Sequence, residues 1–141
     1  MTRAELLAEL AGFPDRLASA TRAAAGLPVP DGEWGPNEVA RHLIAVETEV
    51  HQARLADLAT QDAPVWAWAE PGPWPGEPDL TLDALLERFA GLRATTRATL
   101  DALDAAGWAQ TGTHTRLGVW DVEALVRNAV EHDAEHLRGL A

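Results

Sequence analysis

The sequence predicts an all-α protein, a four-helix bundle with one long loop rich in proline and tryptophan between its second and third helices. Three observations lead to the bundle. Apolar residues recur every three or four positions over four separate stretches, the period of a helix that buries one face. Segments rich in glycine and proline break the chain between those stretches. No stretch shows the two-residue alternation of a half-buried strand, and no internal repeat is visible. Four helices of about 20 residues bury their apolar stripes against one another.

The first helix spans roughly Thr2 to Ala25, with Leu6, Leu7, Leu10, Phe13 and Leu17 along one side. Pro14 lies inside it. Proline lacks an N–H and crowds the carbonyl four residues back, so a kink or a split is expected there. "GLPVPDGEWGP" then breaks the chain. The second helix starts near Pro36, a residue suited to a first helical turn, and runs to about Ala59 with Val39, Leu43, Val46 and Val50 on one face. "TQDAPVWAWAEPGPWPGEPDL" (60–80) holds five prolines and three tryptophans and has no usable period. It reads as a loop of a length usually reserved for function or flexibility. Thr81 suits the N-cap of a third helix, about 82 to 105, with Asp83 in its first turn. Its apolar positions are Leu85, Leu86, Phe89, Leu92 and Leu100. "AAGWAQTGTHTRLG" ends it. A fourth helix, about Val119 to Leu140, is aligned by Val122, Leu125, Val126, Ala129 and Leu140. Trp34 and Trp120 stand where an aromatic ring staples a loop to the core, and Trp66, Trp68 and Trp74 are expected to cover the bundle, the alternatives being to line a pocket or to form a contact surface.

A chain of 141 residues suits one domain, 1–141. It is long enough to bury a core without disulfides or a structural metal. It has no cysteine, which excludes disulfides, thiolate ligands and a cysteine nucleophile. The formal net charge is −11, and all eleven basic residues are arginine. That balance excludes the basic stripe by which proteins displace counterions from nucleic acid, and it disfavours anionic membranes. The N-terminal stretch carries charges throughout, unlike a signal peptide, and no apolar run approaches a membrane span. A cytoplasmic location is the expectation.

The chemistry-bearing residues are histidines. His132-Asp133-Ala134-Glu135-His136 spells H-x-x-E-H, the inverted zinc-protease motif. Such proteases are large and take a third, acidic ligand far downstream, whereas five residues follow His136, so the match is read as incidental. At about 100° per residue, His132 and His136 lie about 40° apart on the helix. Leu125 falls on their midline and Ala129 close beside it, so both rings face the bundle interior or its edge. Asn128 and Glu135 flank the pair on one side.

On the second helix His42 lies between the core positions Val39 and Val46, and Glu38 and Glu49 share its stripe. His51 is nine residues further, about 180° round, and is expected in solvent. His114 falls in a loop and is expected not to ligate. Glu38, Glu47, Glu49 and Glu123 are expected to be solvated helix surface. One histidine at a core margin is ordinarily a hydrogen-bonded structural residue. Three inward histidines on two helices point instead to a metal.

"EWGPNEVARHLIAVE" and "TRLGVWDVEALVRNAVEHDAEHLRGL" together resemble the DinB/YfiT superfamily, in which a tryptophan precedes a helix with an inward histidine and the last helix carries H-x-x-x-H followed by leucine. The resemblance covers most of the chain, in order. It implies a DinB-like four-helix bundle, often dimeric, that holds a divalent metal on three histidines, here His42, His132 and His136. Characterised relatives include mycothiol-dependent isomerases and bacillithiol or glutathione S-transferases. The resemblance therefore implies a low-molecular-weight thiol cosubstrate and an electrophilic small molecule as partners, in stress or detoxification, with the thiol held as thiolate beside the electrophile. A non-catalytic metal- or small-molecule-binding stress protein is the alternative. Three histidines suit zinc or nickel, and also iron or manganese. Glu49 or Asn128 is expected to fix an imidazole tautomer from behind, and Glu135 to stand where a proton could be transferred. A homodimer without nucleic-acid or membrane partners completes the expectation.

Overall fold

The computed structural model describes residues 1–140. Helix α1 (Arg3–Ala24) opens on a capping box: the Glu5 N–H donates to Thr2 Oγ1 at 3.2 Å and the Thr2 N–H to the Glu5 carboxylate at 2.8 Å. Pro14 does not split it, and the helix runs through. The Leu10 carbonyl, which loses its helical donor at Pro14, accepts instead from Arg93 Nη1 at 3.0 Å.

The second helical run is not a plain α-helix. It comprises α2 (Pro36–Val46), a π turn over Glu47–Gln52, and α3 (Ala53–Thr60). A π turn acts as one inserted residue, so the chain beyond it is rotated by about 100° from the straight-helix expectation. Two expectations change for that reason. His51 is buried, 4 % exposed, and Glu49 leaves the stripe it would share with His42 on a straight helix and faces solvent, as its charge alone predicts. Glu47, expected at the surface, is 1 % exposed, because a partner on another helix neutralises it. Glu38 is exposed.

The long loop contains β1 (Val65–Trp66) and leads to α4 (Leu82–Asp101), where Thr81 Oγ1 accepts from the Ala84 N–H at 3.2 Å. Helix α4 stops before 105 because Asp104 caps a separate short helix, α5 (Ala105–Trp108), accepting from the Gly107 N–H at 2.8 Å. Then come β2 (Gly112–His114) and β3 (Gly118–Trp120). The strands form a small sheet in the order β1-β2-β3, with β1 parallel and β3 antiparallel to β2. The sequence predicts no strand here, because strands of two and three residues are too short to display an alternation. Gly112 admits the Trp66 ring, since a Cβ there would come within 2.5 Å of it. Helix α6 (Val122–Gly139) begins three residues later than expected. Residues 118–120 pair in the sheet, and Asp121 caps the helix through the Ala124 N–H at 2.8 Å. Trp120 therefore sits in a strand rather than at a helix start.

Helix α1 packs between α4 and α6, and α4 packs on α2. The backbones of α2 and α6 scarcely approach, and long side chains fill that seam. The core divides into two apolar halves. One holds Leu6, Leu10, Leu55, Leu100, Trp108, Leu125 and Val126; the other holds Phe13, Leu17, Leu43, Ile44, Leu85 and Phe89. Between them lies an ionic layer. Arg93, 2 % exposed, pairs with Glu47 (3.0 Å) and Asp133 (2.9 Å). Among the described residues no helix is long and apolar enough to cross a membrane.

Candidate metal centre

His42 enters the α2/α6 seam from α2, and His132 and His136 enter it from successive turns of α6. Their Nε2 atoms meet: His42 to His136 at 3.1 Å, and His136 to His132 at 3.1 Å. His42 is 0 % exposed. Its Nδ1 lies 2.8 Å from the Pro71 carbonyl. A carbonyl only accepts, so Nδ1 carries the proton and Nε2 presents a lone pair to the cluster. Trp34, just before α2, lies against the His42 ring at 4.8 Å between centroids.

The Pro/Trp loop supplies a fourth donor. Glu70 Oε1 stands 3.4 Å from His42 Nε2 and 3.9 Å from His132 Nε2. The ligand atoms of His42, Glu70, His132 and His136 all fall within 4.8 Å of one another. The loop is held in place by Arg41, the neighbour of His42. Its guanidinium donates to the carbonyls of Trp74 (3.1 Å), Gly76 (2.6 Å) and Glu77 (2.6 Å), and the Trp74 N–H returns a bond to the Arg41 carbonyl at 3.0 Å. The loop is thus part of the centre, bringing Pro71 behind His42 and Glu70 in front of it.

The electrostatics favour neutral imidazoles. Burial, then the neighbouring rings of His136, His51 and His42, push His132 down to about 3. Burial and His42 lower His136, against a smaller opposing pull from Glu135. Burial lowers His51 to about 4, although Glu47 pulls the other way. With all three lone pairs turned to one point, as ligation needs, the Nε2 atoms repel unless a cation lies between them, and neutral rings at His132 and His136 are free to take that tautomer. Metal–imidazole bonds of about 2.0–2.1 Å at tetrahedral angles would separate the nitrogens by about 3.3 Å, close to the 3.1 Å found. His132 Nδ1 is buried and without a partner. Donor set and spacing fit a divalent ion.

The other sequence-derived candidates fall elsewhere. Glu49 is turned into solvent and supports no imidazole. Asn128 makes no hydrogen bond to a histidine; it lines the cleft beside His132. The residue behind His42 is the Pro71 carbonyl instead, a backbone group that no side-chain pattern announces. Glu135 is exposed at the rim of that cleft, with Glu131. Within H-x-x-E-H, Asp133 turns the other way, into the ionic layer. His114 lies in β2, buried and apart from the three-histidine cluster. Sequence reasoning misses Glu70 because it lies in a segment without period; its only sequence signal is being an acid in a long loop.

The cleft over the cluster has a volume of about 430 Å³ and is lined by Trp68, Glu70, Asn128, Glu131, His132, Glu135 and His136. A narrower cavity of about 50 Å³ leads inward from it, sharing Trp68, Glu70, Asn128 and His132.

The family model of the DinB superfamily matches residues 1–140. Among solved structures, YfiT from Bacillus subtilis superposes with a TM-score of 0.72 at 18 % identity, over 96 % of this chain and 81 % of that one. YfiT is described as a probable metal-dependent hydrolase with an unusual four-helix bundle topology. At that identity the likeness speaks for the fold. No curated protein sequence matches the chain.

Proposed function

The chain belongs to the DinB superfamily, and from that premise we propose that it is a divalent-metal-dependent enzyme acting through a low-molecular-weight thiol on an electrophilic small molecule. The observation that carries the metal is the meeting of three Nε2 atoms at 3.1 Å, under a cleft wide enough to admit ligands. An ion on three neutral imidazoles keeps its full charge and lowers the pKa of a bound thiol or water.

The rest is the work of the chain. The Pro71 carbonyl keeps the His42 Nε2 lone pair aimed inward. Burial holds His132 and His136 unprotonated at neutral pH. Glu70, about half exposed and 3.4 Å from His42 Nε2, is placed to accept the nucleophile's proton or to close the donor set. The chain has no thiol of its own, so a thiol must arrive as cosubstrate.

A second reading, hydrolysis, is favoured by Glu70, because a carboxylate beside a metal-bound water is the arrangement for general-base attack. YfiT is described as a probable metal-dependent hydrolase. One experiment separates the two. Protein loaded with zinc or nickel is offered glutathione, bacillithiol or mycothiol with a chloronitroaromatic electrophile, and separately an activated ester without thiol. Metal-dependent conjugation that disappears in His42→Ala supports the transferase. Thiol-independent ester cleavage that disappears in both His42→Ala and Glu70→Gln replaces it with the hydrolase. Wild type that takes up no metal removes both.

A further inference from the structure

Every other charge buried in the protein has a counter-charge among the described residues, and Arg54 does not. Its residue is 7 % exposed. No carboxylate lies within ion-pair distance of it among the described residues, and its one protein hydrogen bond runs from Nη2 to the Ala67 carbonyl at 3.3 Å. The guanidinium lies 5.6 Å from the Trp66 ring centroid and 5.9 Å from that of Trp120. Ring faces steady a cation but leave its in-plane N–H groups free. Arg54 lines the inner cavity of about 50 Å³ beside His132 and Glu70.

His114 lines the same cavity and supplies a second free donor. Its Nδ1 accepts from the backbone N–H groups of Arg116 (3.1 Å) and Leu117 (3.2 Å). The proton therefore sits on Nε2, which has no partner among the described residues. Trp120 covers the His114 ring at 5.2 Å. Two unpaired donors, one of them cationic, thus sit in a recess next to the histidine cluster, walled on its apolar side by Val50, Trp68, Leu117 and Trp120.

We propose that Arg54 and His114 form a carboxylate subsite, so that the small molecule worked on at the metal centre carries a carboxylate that seats in the inner cavity while its reacting end lies in the outer cleft. This deepens the reading of the centre as an enzyme site and rests on it. A carboxylate pairs with a guanidinium through parallel hydrogen bonds, and it relieves an uncompensated buried charge. Size selects it over phosphate. At roughly 10–15 Å³ per water-sized group, about 50 Å³ holds three or four heavy atoms, enough for a carboxylate and the first carbon of its stem, the rest of the stem extending toward the outer cleft, and too few for the five atoms of a phosphate group. Charge selects in the same sense: Glu70, which lines both the inner cavity and the cleft, and Glu131 and Glu135 on the approach repel a dianion more than a monoanion.

The test uses full-length protein with propionate as probe and inorganic phosphate as control. Trp68 and Trp120 line the cavity, so tryptophan fluorescence reports occupancy, and the side-chain N–H resonance of Arg54 reports contact in the wild-type protein without any variant. The expected result is saturable propionate binding at millimolar concentration, with a shifted Arg54 resonance and at least tenfold weaker affinity in Arg54→Gln. Arg54→Lys should recover part of it, and phosphate should compete poorly. Affinity should survive within about threefold in His42→Ala, whose metal content is measured alongside. Propionate binding that requires the metal and ignores Arg54→Gln would place the carboxylate on the ion and overturn the proposal. So would an unmoved Arg54 resonance, or phosphate binding as well as propionate. A His42→Ala protein that keeps its metal counts against the metal reading alone, and the carboxylate subsite is then judged by the Arg54 results.

Discussion

Two clusters of buried polar side chains share the same helices and have opposite characters. In the ionic layer all five N–H groups of Arg93 are used. Nε donates to the Glu47 carboxylate (3.1 and 3.2 Å), Nη1 to Asp133 (2.9 Å) and the Leu10 carbonyl (3.0 Å), and Nη2 to Glu47 and Asp133 (3.0 Å each). Thr96 Oγ1 gives Glu47 a further bond at 2.7 Å. The histidine cluster, one residue away along α6, crowds three Nε2 atoms together, with contacts of 3.1 Å, and leaves a buried His132 Nδ1 without a partner. A polar group buried without a partner costs free energy. The closed cluster has discharged that cost internally and is structure. The open one has not, and its donor atoms are spaced as a divalent ion would need them.

The largest expected effect breaks the closed cluster. Arg93→Met leaves two buried carboxylates without their counter-charge and the Leu10 carbonyl without its donor, and should destabilise the fold by about 3–5 kcal/mol. The triple variant Glu47→Leu, Arg93→Met, Asp133→Leu removes the charges together and should recover most of that loss. Urea titration of the two proteins checks the difference. If the single variant loses less than about 1 kcal/mol, the layer is not the paired network its distances indicate.

The next effect should have opposite signs with and without metal. Saturating metal at a hundred to a thousand times its dissociation constant should stabilise wild type by about 2.7–4.1 kcal/mol. His136→Leu should lose this increment. In chelator, however, the same variant should melt at or above wild type, because it removes one of the repelling nitrogens. Melting curves with zinc and with a chelator decide it. A wild-type curve that ignores both reagents would make the cluster ordinary packing.

These contrasts explain what is legible in the sequence. The positions of His42, His132 and His136 follow from helical angle alone, because His42 precedes the π turn and α6 is uninterrupted. His51 and Glu49 lie within the π turn, so the same arithmetic sends both to the wrong face. Nothing in "ETEVHQ" marks a change of hydrogen-bond register. Glu47 reads as a surface residue, and nothing singles out Arg93, because burial of a charge depends on a partner on another helix, which one helix's periodicity does not contain. The loop's prolines and tryptophans mark it as unusual. Its contribution lies in one backbone carbonyl, Pro71, and one acid, Glu70, placed by Arg41 bonds to other carbonyls. The bundle itself is legible because four apolar stripes need only one another.

A smaller effect concerns acid. His51 titrates near 6.5 when unfolded and is lowered to about 4 by burial. Between those values the unfolded chain binds a proton that the native state refuses, so stability falls as pH falls, by about 1.4 kcal/mol per pH unit for the one group. Glu47, held low by Arg93 against its burial, adds its stability above 4.5 and loses it as pH falls further. Asp133 works in the other sense: burial raises it to about 6, so its contribution is present below 3.8 and lost as pH rises through 6. Comparing metal-free wild type with His51→Leu isolates His51 together with its coupling to Glu47, while the Asp133 contribution is common to both. The variant should show a flatter decline from pH 6 to about 4.5, shallower by close to one proton. Parallel curves would mean that His51 is protonated in the native state.

The smallest effect joins the ionic layer to α1. An interior proline usually costs a helix about 3 kcal/mol relative to alanine, partly through the acceptor it strands four residues back. Here that acceptor, the Leu10 carbonyl, is taken by Arg93, so part of the usual cost is already offset. Pro14→Ala should therefore stabilise wild type by only about 1 kcal/mol or less. In the triple variant without the ionic layer the Leu10 carbonyl has no donor, and the backbone N–H that the substitution restores becomes its partner. The same substitution should then gain about 1 kcal/mol more, the net value of one buried hydrogen bond. A double-mutant cycle by urea titration measures this coupling. Equal gains in the two backgrounds would show that α1 tolerates Pro14 without help from Arg93, and that the ionic layer and the first helix are independent.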